Sequence, residues 1–320
     1  MAADTGFGYE DLRKAFANSS KRSPAVSSAL IDCVRMSLEH LAELDRLEYE
    51  SGVPGKSYFV FEGRLPNAYE SRAINSALFD EDSSEVIRLL SAILAGELPE
   101  DPEALHAALY TGAISFPAAR DTQVRGDQKS PGTFFEVFVG HLFAVALNAD
   151  PTSTVTAPTL DLEISLPTDL IYDLGPNRPR IHLPVKISTR ERVIQVWAHQ
   201  RVLDGMHGVN RFRGILVALA ETNKRKGKGN NPDSILEVCL PKQWTAYQMY
   251  IAQLFRVYYL DVPTKYRRLR DNYPFLEVKP LADFFYEKDR IVNPTEAMIE
   301  LVGETEPAAA FLGLPEDDEV

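Results

Sequence analysis

The stretch LPVKISTRERVIQVWAHQ, residues 183–200, changes its period halfway along. Its first half continues RIHLPVKIS, an apolar run with the length and composition of a strand. Its second half opens TRERVIQVWAHQRVLDGM, whose apolar residues recur at helical spacing. A lysine, Lys186, interrupts the strand among apolar neighbours. An edge lysine reaching water would explain it, but inward use of the ammonium suits that setting better.

Two further strands are expected upstream, LDLEISLP and TDLIYDLG, forming a pair with each other and followed by a turn at Gly175, Pro176 and Asn177. Before them TFFEVFVGHLFAVAL reads as an apolar helix carrying one acid, Glu136. Downstream come the strand GILVALAE, the basic loop NKRKGKGNN, the strand ILEVCLP and the helix QWTAYQMYIAQLFRVYYL. A helix, strands, a helix and more strands predict an α/β fold, a mixed sheet flanked by helices. Residues 1–112 read as a helical lobe, with a cap region at Asp80 to Ser84 and a helix DPEALHAALYTG ending at Gly112. Residues 113–132 carry loop chemistry and form the junction that opens the core, 113–320.

At 320 residues, 45% apolar, the chain is long enough for one large domain or two smaller ones. Its net charge of −12 argues against indiscriminate coating of nucleic acid. Basic residues nevertheless concentrate between Arg178 and Arg270, and acids in the first third and the tail. That asymmetry suits an acidic exterior with one face turned to DNA. Two distant cysteines, Cys33 and Cys239, favour a reducing compartment. The start lacks a signal-peptide core, and no apolar run is expected to approach the roughly 18 to 20 residues of a membrane span. The chain is therefore expected to be cytoplasmic and away from membranes.

Phosphodiester hydrolysis near neutral pH needs a polarised phosphate, an activated water and relief of charge in the transition state. Magnesium takes hard oxygen ligands and few protein ones, so two or three carboxylates suffice. Asp169 begins one strand and Lys186 lies in the next with Ile187 beyond it, and an antiparallel hairpin can bring the two together. Asp169 equally fits a turn acid, and Glu136 equally fits an acid serving its helix dipole.

PTDLIYD followed by LPVKISTRERVIQVWAHQ resembles the metal site and recognition helix of the PD-(D/E)xK restriction endonucleases that cut at CC/GG targets, such as the EcoRII catalytic domain. In that family a lysine ends a strand, a basic-acidic-arginine triplet begins four residues later, and Gln-Val follows. The matching positions are Lys186, then Arg190, Glu191 and Arg192, then Gln195 and Val196. The segment ending at Glu136 is similar to the family's acidic helix start, and VCLPKQW to a late strand ending in proline. The resemblance covers residues 125–250. Two departures stand out. Pro184 occupies the position of the family's acid two residues before the lysine, and His199, then Gln200, stand where an acid is expected on the helix. Either His199 substitutes, or a carboxylate comes from Glu136, Asp161, Glu163 or Asp173. Glu136 is preferred, because imidazole suits softer metals.

The resemblance implies a homodimeric type II restriction endonuclease that uses Mg2+ to cut double-stranded DNA at a short, nearly palindromic CC/GG site. Asp169 and Glu136 would be its metal ligands, and Lys186 and His199 its other catalytic groups. Arginine can donate two bonds to guanine and a carboxylate can accept from cytosine. Arg190, Glu191 and Arg192, expected at a helix start, would therefore read bases. Arg120, Arg125 and Lys129 would add outer contacts, as would the basic loop from Asn223 to Asn231. A cognate cytosine methyltransferase would be encoded nearby. A DNA-binding protein without catalysis is the second expectation. A small-molecule enzyme has no phosphate-cradling glycine loop, nucleophile elbow or zinc motif behind it.

Overall fold

A computed structural model of the chain describes residues 6–63, 69–127, 129–157, 162–165, 169–176, 178–190, 193–227, 232–267, 269 and 277–293, with backbone alone at 162–165 and 169. The elements before the central sheet are α1 (Tyr9–Asn18), α2 (Pro24–Ala42), β1 (Asp45–Ser51), β2 (Tyr58–Glu62), β3 (Ile74–Asn75), α3 (Ser83–Leu94), α4 (Pro102–Gln123) and α5 (Lys129–Leu147). There follow β4 (Pro151–Thr152), β5 (Thr154–Ala157), β6 (Leu162–Ser165), β7 (Asp169–Tyr172), β8 (Arg180–Lys186), α6 (Ile194–His207) and β9 (Phe212–Ala218). The last are β10 (Thr222–Arg225), β11 (Ser234–Glu237), α7 (Pro241–Tyr250), β12 (Arg256–Tyr259), α8 (Thr264–Arg267), β13 (Val278–Pro280) and α9 (Ala282–Val292).

The central sheet is six-stranded in the order β13-β12-β9-β8-β7-β4. β8, β9, β12 and β13 run parallel, while β7 is antiparallel to both β8 and β4. β8 to β9 crosses over through α6, the usual means of joining parallel neighbours. One face of this sheet packs on α4, α5 and α9 in a core reaching from Phe7 to Ile291. The other carries α6 and α7, with Trp197, Trp244 and Tyr266 at the centre of a second cluster. The mixed sheet with flanking helices matches the expected fold class.

Several local expectations change. Gly112 does not end α4. A Cβ there would lie 2.8 Å from Leu90 Cδ1, so glycine permits close packing, and α4 continues through Pro117 to Gln123. Most of residues 113–119 are buried apolar groups, and burial outweighs the helix-breaking proline that suggested a loop. The stretch 45–51, read as helix, is strand β1, because its backbone pairs with β2 and β11. β6 pairs with β5 in a separate ribbon, and not with β7. The second half of the last expected helix is β12, paired between β9 and β13, and the start of the basic loop is β10. α5 is long and apolar enough to span a membrane by length and composition, contrary to expectation, but most of it is buried inside the protein.

β1, β2 and β3 join β10 and β11 in a five-stranded sheet, so chain before and after residue 112 shares one sheet as well as one core. A buried ion cluster ties the two. Lys56 Nζ lies 2.6 Å from both Glu237 and Asp261, with side-chain exposures of 8%, 5% and 2%. Tyr58 and Asn75 also donate to Asp261, and the Thr264 amide to Glu237. Charges so deep need this full set of partners to offset their lost hydration.

Candidate active site

In the β7–β8 pair Asp169 stands opposite Pro184, and Leu170 opposite Leu183. Side chains alternate along a strand, so position 169 shares a face with 184 and, two residues on, with Lys186. Pro184 has no N–H to give, and the β8–β9 pairing resumes at Val185 opposite Val217. The shared face is the one that carries α6. Ile171, two residues along from Asp169, joins Leu203 and Phe212 in a cluster, and His182 Nδ1 is 2.9 Å from Gln200 Oε1. Lys186 is half-buried at the strand end, whereas Leu183 and Val185 point into the main core.

His199 lies on α6 one turn before Leu203, on the Lys186 side of the sheet, and is half-buried. Glu136 lies on the other side. Tyr172 donates to the Gly140 carbonyl of α5 at 2.7 Å, and a Cβ on Gly140 would come within 2.8 Å of Leu170 Cδ1. Phe143 then meets Tyr172 with ring centroids 6.5 Å apart. α5 therefore runs alongside β7, and Glu136, one turn before Gly140, is half-buried at the Asp169 end. Positions 169 and 186 thus share the α6 face at one end of the β7–β8 pair, with His199 on α6 over that face and Glu136 on α5 over the opposite one.

α6 begins at Ile194, so Arg190 precedes the helix and does not form its first turn. It is exposed, and its Nε donates to Ser188 Oγ at 3.0 Å. Glu191, Arg192 and Asp161 lie outside the described residues. At the start of α5, Arg120 pairs with Asp127 at 3.0 Å, and Asp127 accepts the Ser130 amide at 3.0 Å. Arg125 sits over the Tyr69 ring, 6.0 Å from its centroid, and Lys129 is exposed. These three basic residues share the α4–α5 junction, two turns before Glu136, but Arg120 is already held by an acid. Asp173 pairs with Arg180 at 2.9 Å, at the opposite end of β7 and β8, away from the cluster.

The sequence reading missed Glu221. It follows β9, is 1% exposed, and accepts hydrogen bonds from Ser188 Oγ at 2.9 Å, the Thr189 amide at 2.8 Å, Thr189 Oγ1 at 2.5 Å and Tyr259 OH at 2.7 Å. Burial raises its pKa, and the donors from Thr189, Tyr259 and Ser188 act against that rise. One acid closing the apolar run GILVALA was the available signal. Apolar periodicity gives it no role.

Among the described residues, no group of three or more His, Cys, Asp or Glu is gathered to hold a metal. Glu221 has its oxygens committed to the donors named above. The donor chemistry fits magnesium if Asp169 and Glu136 supply hard oxygens and phosphate and water supply the rest.

No protein-family model matches the chain, and no curated protein matches it. The crystal structure of the Type IIP restriction endonuclease Kpn2I is similar, with a TM-score of 0.72 and 21% identity, over 90% of this chain and 97% of that one. At that identity the likeness is one of fold, and the chain has a restriction-endonuclease-like α/β fold.

Proposed function

We propose that the chain is a homodimeric type II restriction endonuclease, hydrolysing double-stranded DNA at a short, nearly palindromic site containing CC and GG. The observation that carries this reading is the register of β7 on β8, which puts positions 169 and 186 on one face at the end of these strands in a restriction-endonuclease-like sheet.

The chemistry assigned to each group follows from its type. Lys186 orients or deprotonates the attacking water, and as an ammonium it offsets charge gathering on the phosphate. His199, on the same face, hydrogen-bonds to water or phosphate. Asp169 and Glu136 would hold Mg2+, which when bound supplies Lewis-acid polarisation of the phosphate. The water oxygen bonds to phosphorus as the P–O3′ bond breaks, the water gives up one proton to solvent and the departing 3′ oxygen takes one from solvent, leaving 5′-phosphate and 3′-hydroxyl ends. Arg190, Glu191 and Arg192 read base edges in the major groove, while Arg120, Arg125 and Lys129 contact outer bases or backbone. A two-fold target asks for a two-fold reader, with the 1–112 region contributing the dimer contact and 113–320 the catalysis. The enzyme acts in the cytoplasm, beside a cognate cytosine methyltransferase encoded nearby.

A second reading, sequence-specific binding without cleavage, is favoured by Pro184 and His199 at positions where acids are expected. Plasmid DNA incubated with pure protein and Mg2+ separates the two. Discrete fragments are expected, and a plasmid shifted but uncut would replace the enzyme with the binder.

A further inference from the structure

We infer that Glu221 is a positioning residue that locks residues 188–190 onto the end of β9, fixing the base-reading segment relative to Lys186. This rests on the nuclease reading above.

The carboxylate is placed to do so by consecutive rungs of the sheet. The Leu219 amide donates to the Lys186 carbonyl at 3.1 Å, and the Ala220 amide to the Ile187 carbonyl at 3.1 Å. Glu221 is the next residue, and its side chain takes over where backbone pairing stops. It receives Ser188 Oγ and both donors of Thr189. With its proton committed to Glu221, the Ser188 oxygen is left to accept, and it accepts from the Arg190 amide at 3.3 Å and Nε at 3.0 Å. A relay of hydrogen bonds therefore runs from a buried acid through a serine to an exposed guanidinium. Bonds in which one partner is ionised are the strong ones, so the relay restrains a loop that would otherwise move. Tyr259 of β12 donates to the same carboxylate oxygen as Thr189, at 2.7 Å, and its hydroxyl lies 3.2 Å from Thr189 Oγ1. The Glu221 carbonyl also accepts the Val238 amide at 2.9 Å, beside the root of the basic β10–β11 hairpin. The guanidinium and that hairpin share one anchor.

The test begins by mapping wild-type cut sites on plasmid DNA. Single-turnover rates are then measured at the mapped site and at sites altered by one base pair, beside melting temperatures. Glu221→Ala is expected to lower the ratio of cognate to altered-site rate by about tenfold, the scale of one misread base contact. Glu221→Gln keeps an acceptor for the Thr189 amide and is expected to restore much of that ratio. A purely structural acid would lower the melting temperature and slow both sites alike. Should Glu221→Ala fail to fold, Thr189→Val, which removes only the hydroxyl bond, is expected to lower the ratio by a smaller factor. An unchanged ratio in whichever of Glu221→Ala and Thr189→Val is folded overturns the inference while leaving the nuclease reading intact, and so does a Glu221→Gln ratio as low as that of a folded Glu221→Ala. A wild-type protein that cuts no DNA removes both.

Discussion

Lys186 stands at the end of β8, half screened from water, and in the proposed reading its ammonium faces the phosphate. Its replacement by alanine is expected to slow cleavage about a hundredfold or more while DNA still binds, as single-turnover rates and gel shifts would report. Equal loss of binding and cutting would remove it from the chemistry. Glu136 on α5 and His199 on α6 lie over opposite faces of the sheet, so their variants separate two roles. Glu136→Ala is expected to raise the Mg2+ concentration needed for half-maximal rate, and His199→Ala to leave that requirement unchanged. If His199→Ala alone moves the magnesium requirement, the metal ligand is the imidazole. Arg192→Ala should weaken binding at the cut site by about 1–3 kcal/mol with little effect on unrelated DNA, and retained site preference in a filter-binding assay would exclude it from base reading.

The β8–α6–β9 unit depends on the closeness of its layers. A Cβ at Gly214 would fall 2.5 Å from Gln200 Oε1 and 2.7 Å from Leu254 Cδ2. Gly214→Val is therefore expected to push α6 away from the sheet, costing about 1–3 kcal/mol in urea unfolding. Wild-type stability in that variant would mean α6 is free to shift. The buried Lys56 cluster braces the β1–β2–β3 strands against β11 and β12. Lys56→Ala leaves Glu237 and Asp261 buried without their ammonium, for which a loss of about 3–5 kcal/mol is expected.

Taken together, the chain carries an acid sensitivity in its core. His106 on α4 is buried, and desolvation lowers its pKa from the ordinary 6.5 to about 4. Its Nδ1 finds no partner among the described residues. The unfolded chain takes up a proton near pH 6.5 that the folded chain refuses until about 4, so stability falls as pH drops through that window. Two and a half pH units correspond to about 3 kcal/mol. Urea midpoints at pH 7 and pH 4.5 should therefore differ, and His106→Leu should narrow the gap. A variant with the same pH dependence as wild type would assign the acid sensitivity elsewhere.

Local pattern and composition were enough to place the strands β7, β8 and β9, the helices α5 and α6, Lys186 within β8 and the α/β class. Those features rest on periods of two and 3.6, which the order of residues carries directly. Long-range pairing decided the rest. DRLEYES becomes a strand because β2 and β11 lie beside it, RVYY because β9 does, and α4 runs through Pro117 because its neighbours bury it. That β4 and not β6 is the other neighbour of β7, which face Glu136 approaches from, and that Glu221 holds Ser188 and Thr189 across 32 or more residues were invisible in the sequence. A buried hydrogen bond or a sheet register is set by residues far apart in the chain, and no local period encodes it.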